Sequence, residues 1–255
     1  MAPAPPPYAS VAYRSLAGRH VVVTGGASGI GAELVRAFVA QGACVSFLDV
    51  DEAAGAATAE ATGARFLRCD VTDVAALEAA VDECGRAAPI ACLVNNAGND
   101  SRHAIDEVTP ESWRRALSLN LDHQFFASRR AACAMKSRGG SIVLTGSVSW
   151  MRGRPGLVGY TTAKAAINGM TKTLAREWGA DGIRVNCVVP GAIVTERQKA
   201  LWLTPELDRQ FVELQALKFR LDPSHVARVA LFLASDESAG CTGANFVVDA
   251  GLVQN

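Results

Sequence analysis

An α/β architecture, a doubly wound seven-stranded parallel sheet with helices on both faces, is predicted by three observations. Short apolar runs rich in β-branched residues alternate with longer amphipathic segments. A glycine-rich turn joins the first run to the first helix. No linker and no internal repeat divides the 255 residues, a length that suits one domain.

The elements follow in order. Residues 1–17 begin Met-Ala-Pro-Ala-Pro-Pro-Pro and read as an extended or mobile tail, with the domain over 18–255. His20–Thr24 is a buried strand and Gly29–Gln41 a helix; Cys44–Asp49 is the second strand and Arg65–Cys69 the third. A helix over about 73–87 precedes the fourth strand, Ala91–Asn95, and a helical stretch runs through Asn120 to about Lys136. Ser141–Thr145 is the fifth strand, Tyr160–Trp178 a long helix, Ile183–Val189 the sixth strand and Asn245–Val248 the seventh. The stretch 192–222 breaks the rhythm, and Thr204-Pro-Glu206 within it is a helix-start signal. In an open parallel sheet, an excursion after a strand's carboxyl end lies over the ligand crevice, so this stretch is expected to be a helical substrate lid.

Composition narrows the function. Hydrophobic residues make up 49%, ample for a large core. Twenty-five basic side chains balance 25 acidic ones, with no basic block, so neither nucleic acid nor an anionic membrane is an expected partner. No apolar run approaches the ~18 residues of a membrane span, and the N-terminus lacks the pattern of a secretory signal. The cysteines at 44, 69, 84, 92, 133, 187 and 241 show no C-x-x-C spacing, and no metal site is predicted. They read as reduced core residues of a cytoplasmic protein.

Thr24-Gly-Gly-Ala-Ser-Gly-Ile-Gly31 sits between strand and helix, where a dinucleotide's pyrophosphate binds. Its glycines at 25, 29 and 31, with Ser28 and Ile30 between, permit a tight turn and close backbone approach. Asp49 ends the second strand, eighteen residues after Gly31, where a carboxylate can hold the adenosine ribose hydroxyls and repel a 2′-phosphate. No arginine or lysine lies within 24–31 or directly after Asp49, which favours NAD over NADP. Asp70 and Val71 end the third strand and are placed to contact adenine; Asp70 is equally placed to cap the helix beginning near Asp73.

Tyr160 and Lys164 stand four residues apart, on one face of a helix. An ammonium there favours the phenolate and can draw the tyrosine pKa down from about 10, giving an acid/base usable near neutral pH. With the glycine-rich loop, this pair points to hydride transfer at a carbon bearing a hydroxyl.

Taken together, Thr24-Gly-x-x-x-Gly-x-Gly31, Asn95-Asn-Ala-Gly98, Asn120, Ser147, Tyr160-x-x-x-Lys164, Pro190-Gly191 and Thr195 make the chain resemble the short-chain dehydrogenases/reductases over roughly 18–252. The resemblance implies a Rossmann fold, usually a homotetramer. It implies Tyr160 as acid/base, Lys164 lowering its pKa and holding the nicotinamide ribose, and Ser147 steadying the substrate oxygen. It implies that Asn120 positions a water linking Lys164 to solvent. Ser147 precedes the tyrosine by the family spacing of thirteen, which selects it over Ser149. The resemblance places Asn96, Ala97 and Gly98 on the adenosine side, and Pro190, Gly191, Ile193 and Thr195 beside the nicotinamide.

The substrate must be read from loops. Asn99–His103, Trp150–Arg154 and Glu196–Trp202 carry hydrogen-bonding groups and two indoles. Such a lining suits a sugar, whose hydroxyls pair with polar side chains while its C–H faces rest on a ring. Candidate contacts are Asn99, His103, Ser147, Ser149, Trp150, Gln198 and Trp202. Asn95-Asn-Ala-Gly-Asn-Asp-x-Arg-His103, Ser147-x-Ser-Trp150, Cys187-Val-Val-Pro-Gly191 and Thr195-x-Arg-Gln198 resemble bacterial NAD-dependent aldose 1-dehydrogenases of the xylose type. That implies oxidation of an aldose such as xylose, arabinose or galactose at its anomeric carbon to a lactone. The competing reading is a reductase of another small carbonyl or polyol, of 3-oxoacyl or sugar-alcohol type. A non-catalytic dinucleotide sensor on the same fold would be expected to lack the tyrosine, lysine or serine. The arginines near the pocket leave open a sugar acid.

Overall fold

The structure is a computed structural model and describes residues 10–201 and 203–253. Seven strands form one sheet: β1 (His20–Thr24), β2 (Cys44–Asp49), β3 (Arg65–Arg68), β4 (Ile90–Asn95), β5 (Gly140–Thr145), β6 (Ile183–Pro190) and β7 (Asn245–Val248). Their order is β3-β2-β1-β4-β5-β6-β7 and every pairing is parallel. The sheet grows outward from β1 through β3, then restarts on the other side of β1 with β4. That reversal opens a crevice at the carboxyl ends of the strands.

Strand side chains alternate between two cores, as the pleat dictates. Val21, Val23, Val45 and Phe47 pack under α1 (Gly29–Ala40) and α9 (Pro223–Ala234). Val22 and Leu48 face the opposite way, toward α3 (Val74–Ala87), α5 (His123–Met135) and α6 (Val158–Trp178). Covering both faces explains why the central strands are apolar throughout rather than alternating with polar residues.

Two helices lie outside the segments predicted from sequence: α2 (Glu52–Thr62) and α9. Only Gly55 and Thr58 of α2 are buried, so it carries almost no apolar stripe to reveal it. The stretch expected to be helical through Asn120 is interrupted. It comprises α4 (Pro110–Leu117), a π-helical turn over Ser118–Asp122, and α5. Asp73, not Asp70, caps α3, accepting the Ala76 N–H at 3.0 Å.

Two further expectations are corrected. Cys44 and Cys133 are exposed and Cys241 is half-buried, so only Cys69, Cys84, Cys92 and Cys187 are core residues. Cys44 starts β2, where its side chain falls outside the helix-covered area. The domain also begins before residue 18. The Tyr13 N–H donates to Gln41 Oε1 at 2.8 Å, Gln41 Nε2 donates to the Val11 carbonyl at 3.0 Å, and Leu16 is buried.

The excursion after β6 contains α7 (Glu196–Leu201) and α8 (Pro205–Leu214). It leaves and rejoins the body at one point, where Ile193 bridges Leu221 and the Val194 N–H donates to the Leu221 carbonyl at 2.9 Å. Thr204 caps α8, with Pro205 at its first turn, as the sequence signal anticipates.

Candidate active site

A cleft of about 990 Å³ follows the crevice. Its lining includes every residue assigned to cofactor from sequence: Gly25, Ser28, Gly29, Ile30, Gly31, Asp49, Asp70, Val71, Asn96, Ala97, Gly98, Tyr160, Lys164, Pro190, Gly191, Ile193 and Thr195. Ser147, Asn99 and Gln198 line it as well.

At one end the glycine turn is held in place by β4. Thr24 Oγ1 accepts the Asn96 and Ala97 N–H groups at 3.0 and 3.2 Å, and Asn96 Nδ2 donates to the Gly25 carbonyl at 2.9 Å. Gly25 has φ +67°, and a Cβ at Gly31 would stand 1.7 Å from the Gly25 oxygen. Both positions therefore require glycine. The cradle that results, opening the N-terminus of α1, fits a pyrophosphate. Asp49 borders it, with Oδ2 accepting the Ala27 N–H at 2.9 Å and Oδ1 accepting the Asp51 N–H at 3.1 Å. These contacts fix the carboxylate while leaving lone pairs for ribose hydroxyls. Asp70 Oδ1 accepts from Thr72 N and Oγ1 at 2.9 and 2.7 Å and stays at the cleft edge. Sequence reading missed Arg36, which lines the same end and pairs with Glu33 at 3.2 Å. It lies five residues past the glycine motif, beyond residues 24–31.

At the other end, α6 presents Tyr160 and Lys164 to the end of β5. Lys164 is 2% exposed, and its Nζ donates to the Thr145 carbonyl at 2.8 Å. Gln124 of α5 brackets Thr145, donating to its carbonyl and accepting its N–H, both at 3.2 Å. Burial pulls the Lys164 pKa down to about 8, so the ammonium persists at pH 7.

Tyr160 departs from the sequence expectation. Desolvation pushes its hydroxyl up to about 12; the nearby Ser147 side chain opposes this and the Asp100 charge adds to it. Lys164 does not offset the burial. Its Nζ lies 5.6 Å from the tyrosine ring centroid and is directed at Thr145.

Ser147 is buried, donates to Ser149 Oγ at 2.9 Å and accepts the Ser149 N–H at 3.1 Å. The two serines thus form one polar unit after β5. Asn120 lies in the π turn rather than on the cleft wall. Its amide is fully engaged with Asn99 and Ala116, at 2.8 to 3.1 Å. A water at this place would have to be held by backbone of the π turn instead of that amide. Such turns interrupt helices at functional sites and free backbone groups from the regular ladder.

His123, three residues further on, was not anticipated. It is buried, and Nε2 lies 3.0 Å from the Ala97 carbonyl, which makes that nitrogen the donor. Burial, aided by the nearby Lys164 charge, pulls its pKa down to about 3, so the ring is neutral. It ties α5 to the β4 turn that contacts the cofactor cleft. Its i+3 spacing from Asn120 was the available signal.

On the side of the excursion after β6, Arg197 Nη2 donates to Asn99 Oδ1 at 2.8 Å, joining α7 to the loop after β4. His103 Nε2 and Gln198 Oε1 are enclosed without a hydrogen-bond partner among the described residues. Trp150 is partly exposed, and neither it, His103 nor Ser149 lines the cleft. Trp202 lies outside the described residues.

A crevice at the sheet reversal, a glycine cradle and a Ser–Tyr–Lys group define a nicotinamide-dependent dehydrogenase site, and comparison with known proteins agrees. A family model described as "Enoyl-(Acyl carrier protein) reductase" matches residues 25–253. The chain belongs to the short-chain dehydrogenase/reductase family, oxidoreductases acting on CH–OH donors with NAD(P) as cofactor. It is 48% identical over 248 residues to D-xylose 1-dehydrogenase of Caulobacter vibrioides, covering 95% of this chain and 98% of that protein. It is 44% identical to a probable galactose dehydrogenase of Rhizobium meliloti, covering 94% and 97%. A 3-oxoacyl-[acyl-carrier protein] reductase structure from Brucella melitensis superposes with a TM-score of 0.89 at 35% identity, covering 100% and 99%.

Proposed function

We propose that the protein is an NAD-dependent aldose 1-dehydrogenase, oxidising the anomeric hydroxyl of a cyclic pentose or hexose of the xylose, arabinose or galactose type to the lactone. The observation that carries this reading is the polar cleft wall to which Asn99, Ser147 and Gln198 contribute, with Gln198 Oε1 left unpartnered. Enclosed polar atoms without partners are costly, and a polyhydroxylated ligand supplies both donors and acceptors. The similarity to xylose and galactose dehydrogenases supports the same substrate class.

The Gly25–Gly31 cradle would hold the pyrophosphate, Asp49 the adenosine ribose, and Lys164 the nicotinamide ribose. When bound, NAD supplies the hydride acceptor. The chain's own residues manage the proton. Ser147 donates to the substrate oxygen, and the Tyr160 phenolate Oη takes the C1 hydroxyl proton. Lys164 keeps a positive charge near the phenolate until the proton arrives. Asp49 disfavours a 2′-phosphate by charge, and Arg36 is already paired with Glu33. A homotetramer is the proposed assembly, which light scattering on the purified protein would test.

The experiment is NADH formation with NAD or NADP across aldoses, polyols and sugar acids. Reduction of NAD by an aldose and not by polyols is expected. The likeness to a 3-oxoacyl reductase favours a second reading, reduction of a small ketone. NADPH-dependent ketone reduction, with silence on every sugar, would select it.

A further inference from the structure

Arg152, Arg154 and Arg220 converge on one aromatic ring outside the lining of the catalytic cleft. Their guanidinium carbons lie 5.7, 5.7 and 5.1 Å from the centroid of the buried Phe211. The three charges therefore fall within roughly one Debye length (~10 Å) of one another, and partial burial weakens their screening. None of these four residues lines the cleft.

Negative charge here is scarce. Arg220 Nε lies 2.8 Å from Asp208 Oδ1, but Arg220 Nη1 and Nη2 are enclosed without an acceptor. Arg152 and Arg154 form no ion pair or side-chain hydrogen bond with any described residue. Burial lowers the pKa of both, and the charges of Arg152 and Arg102 lower Arg154 further, with no carboxylate opposing the shift. The ring quadrupole attracts each cation but cannot neutralise three of them. Planar forked donors gathered on one ring, those of Arg152 and Arg154 partly buried and the Arg220 Nη1 and Nη2 enclosed, match the geometry of an oxyanion.

We propose that Arg152, Arg154 and Arg220 form a binding site for a small oxyanion of carboxylate or phosphate type, joining the turn after Ser147 to the lid. The placement gives the site mechanical reach. The Arg152 N–H donates to the Val148 carbonyl at 3.2 Å and the Arg154 N–H to the Ser149 carbonyl at 3.3 Å, so both arginines ride on the turn that carries Ser147 and Ser149. Arg220 precedes Leu221, which closes the lid excursion on Ile193. An anion held by all three ties these two segments together.

Calorimetric titration of the full chain with inorganic phosphate, and in parallel with acetate, at constant ionic strength tests the site. Saturating NADH is present throughout to occupy the pyrophosphate cradle. Saturable binding of either anion at about one site per chain is expected. The Arg152→Gln/Arg154→Gln double variant should lose at least about tenfold in affinity, the effect of one charge-assisted hydrogen bond. Arg154→Lys keeps the charge, removes the fork and guards against misfolding; it should weaken binding to a smaller degree. Without phosphate, relief of repulsion should raise the melting temperature of the double variant. Absence of saturable binding by both anions, or undiminished binding in the folded double variant, would overturn the proposal.

Discussion

Asn120 Oδ1 accepts the backbone N–H of Asn99 at 2.8 Å while its Nδ2 donates to the Asn99 carbonyl at 3.1 Å. One side-chain amide thus satisfies both backbone groups of a loop residue and fixes the first residue of the substrate-side loop to the π turn. Asn99 in turn accepts from Arg197 of α7. Asn120→Ala leaves the Asn99 N–H and carbonyl without that partner, at a cost of about 1–3 kcal/mol for enclosed groups. We expect sugar KM to rise by about tenfold or more while the dissociation constant for NADH changes little. Equal loss in both would indicate general unfolding of the site rather than loop positioning.

Tyr160→Phe removes the proton acceptor while retaining the ring. Turnover should fall by at least about 10²–10⁴-fold, the usual contribution of general acid–base catalysis, with cofactor binding preserved in a fluorescence titration. Retention of more than a tenth of the wild-type rate would refute the role.

The pH dependence has a definite sign. Oxidation needs the phenolate, and desolvation holds Tyr160 well above neutrality. The oxidative kcat/KM should therefore climb with pH from 6 to 9, because the basic form is the minor one throughout. A positively charged nicotinamide lowers the pKa, so the midpoint at saturating NAD should lie below about 12. A flat profile over that window would require another base.

His123 predicts acid sensitivity. Its folded pKa of about 3 lies below the ordinary histidine value of 6.5, so the unfolded chain binds the extra proton between those values. Stability from this group is complete above about 6.5 and declines as pH falls toward 3. Denaturant unfolding at stepped pH should show this decline, and His123→Gln should flatten it.

Cofactor choice should follow Asp49. Asp49→Ser removes the carboxylate proposed to hold the ribose and leaves Arg36 in the cleft lining. The ratio of kcat/KM for NAD over NADP should drop by about tenfold or more, and an unchanged ratio would argue against the assignment.

Much of this site was legible in the chain because its parts are local. The glycine turn, Asp49 at a strand end and the Tyr160–Lys164 pair are each fixed by backbone geometry within a few residues. The strands were legible for a similar reason, since burial on both faces leaves unbroken apolar runs. What escaped depends on packing between distant segments. His123 bonds to Ala97 across two elements, and Arg36 lines the cleft from the second turn of α1. The raised Tyr160 pKa also lies beyond the sequence. Spacing puts a cation nearby, but only the folded site shows that burial outweighs it. The arginines around Phe211 come from segments almost 70 residues apart and meet only in the folded chain.

The central claim is that Tyr160 serves oxidation at the anomeric carbon of a sugar. It is tested most directly by incubating the protein with NAD and D-xylose or D-galactose deuterated at C1, then locating the label by mass spectrometry. We predict deuterium in the NADH formed and an unlabelled lactone. Unlabelled NADH with deuterium retained at C1 of the product would place the oxidation at another carbon and contradict the account.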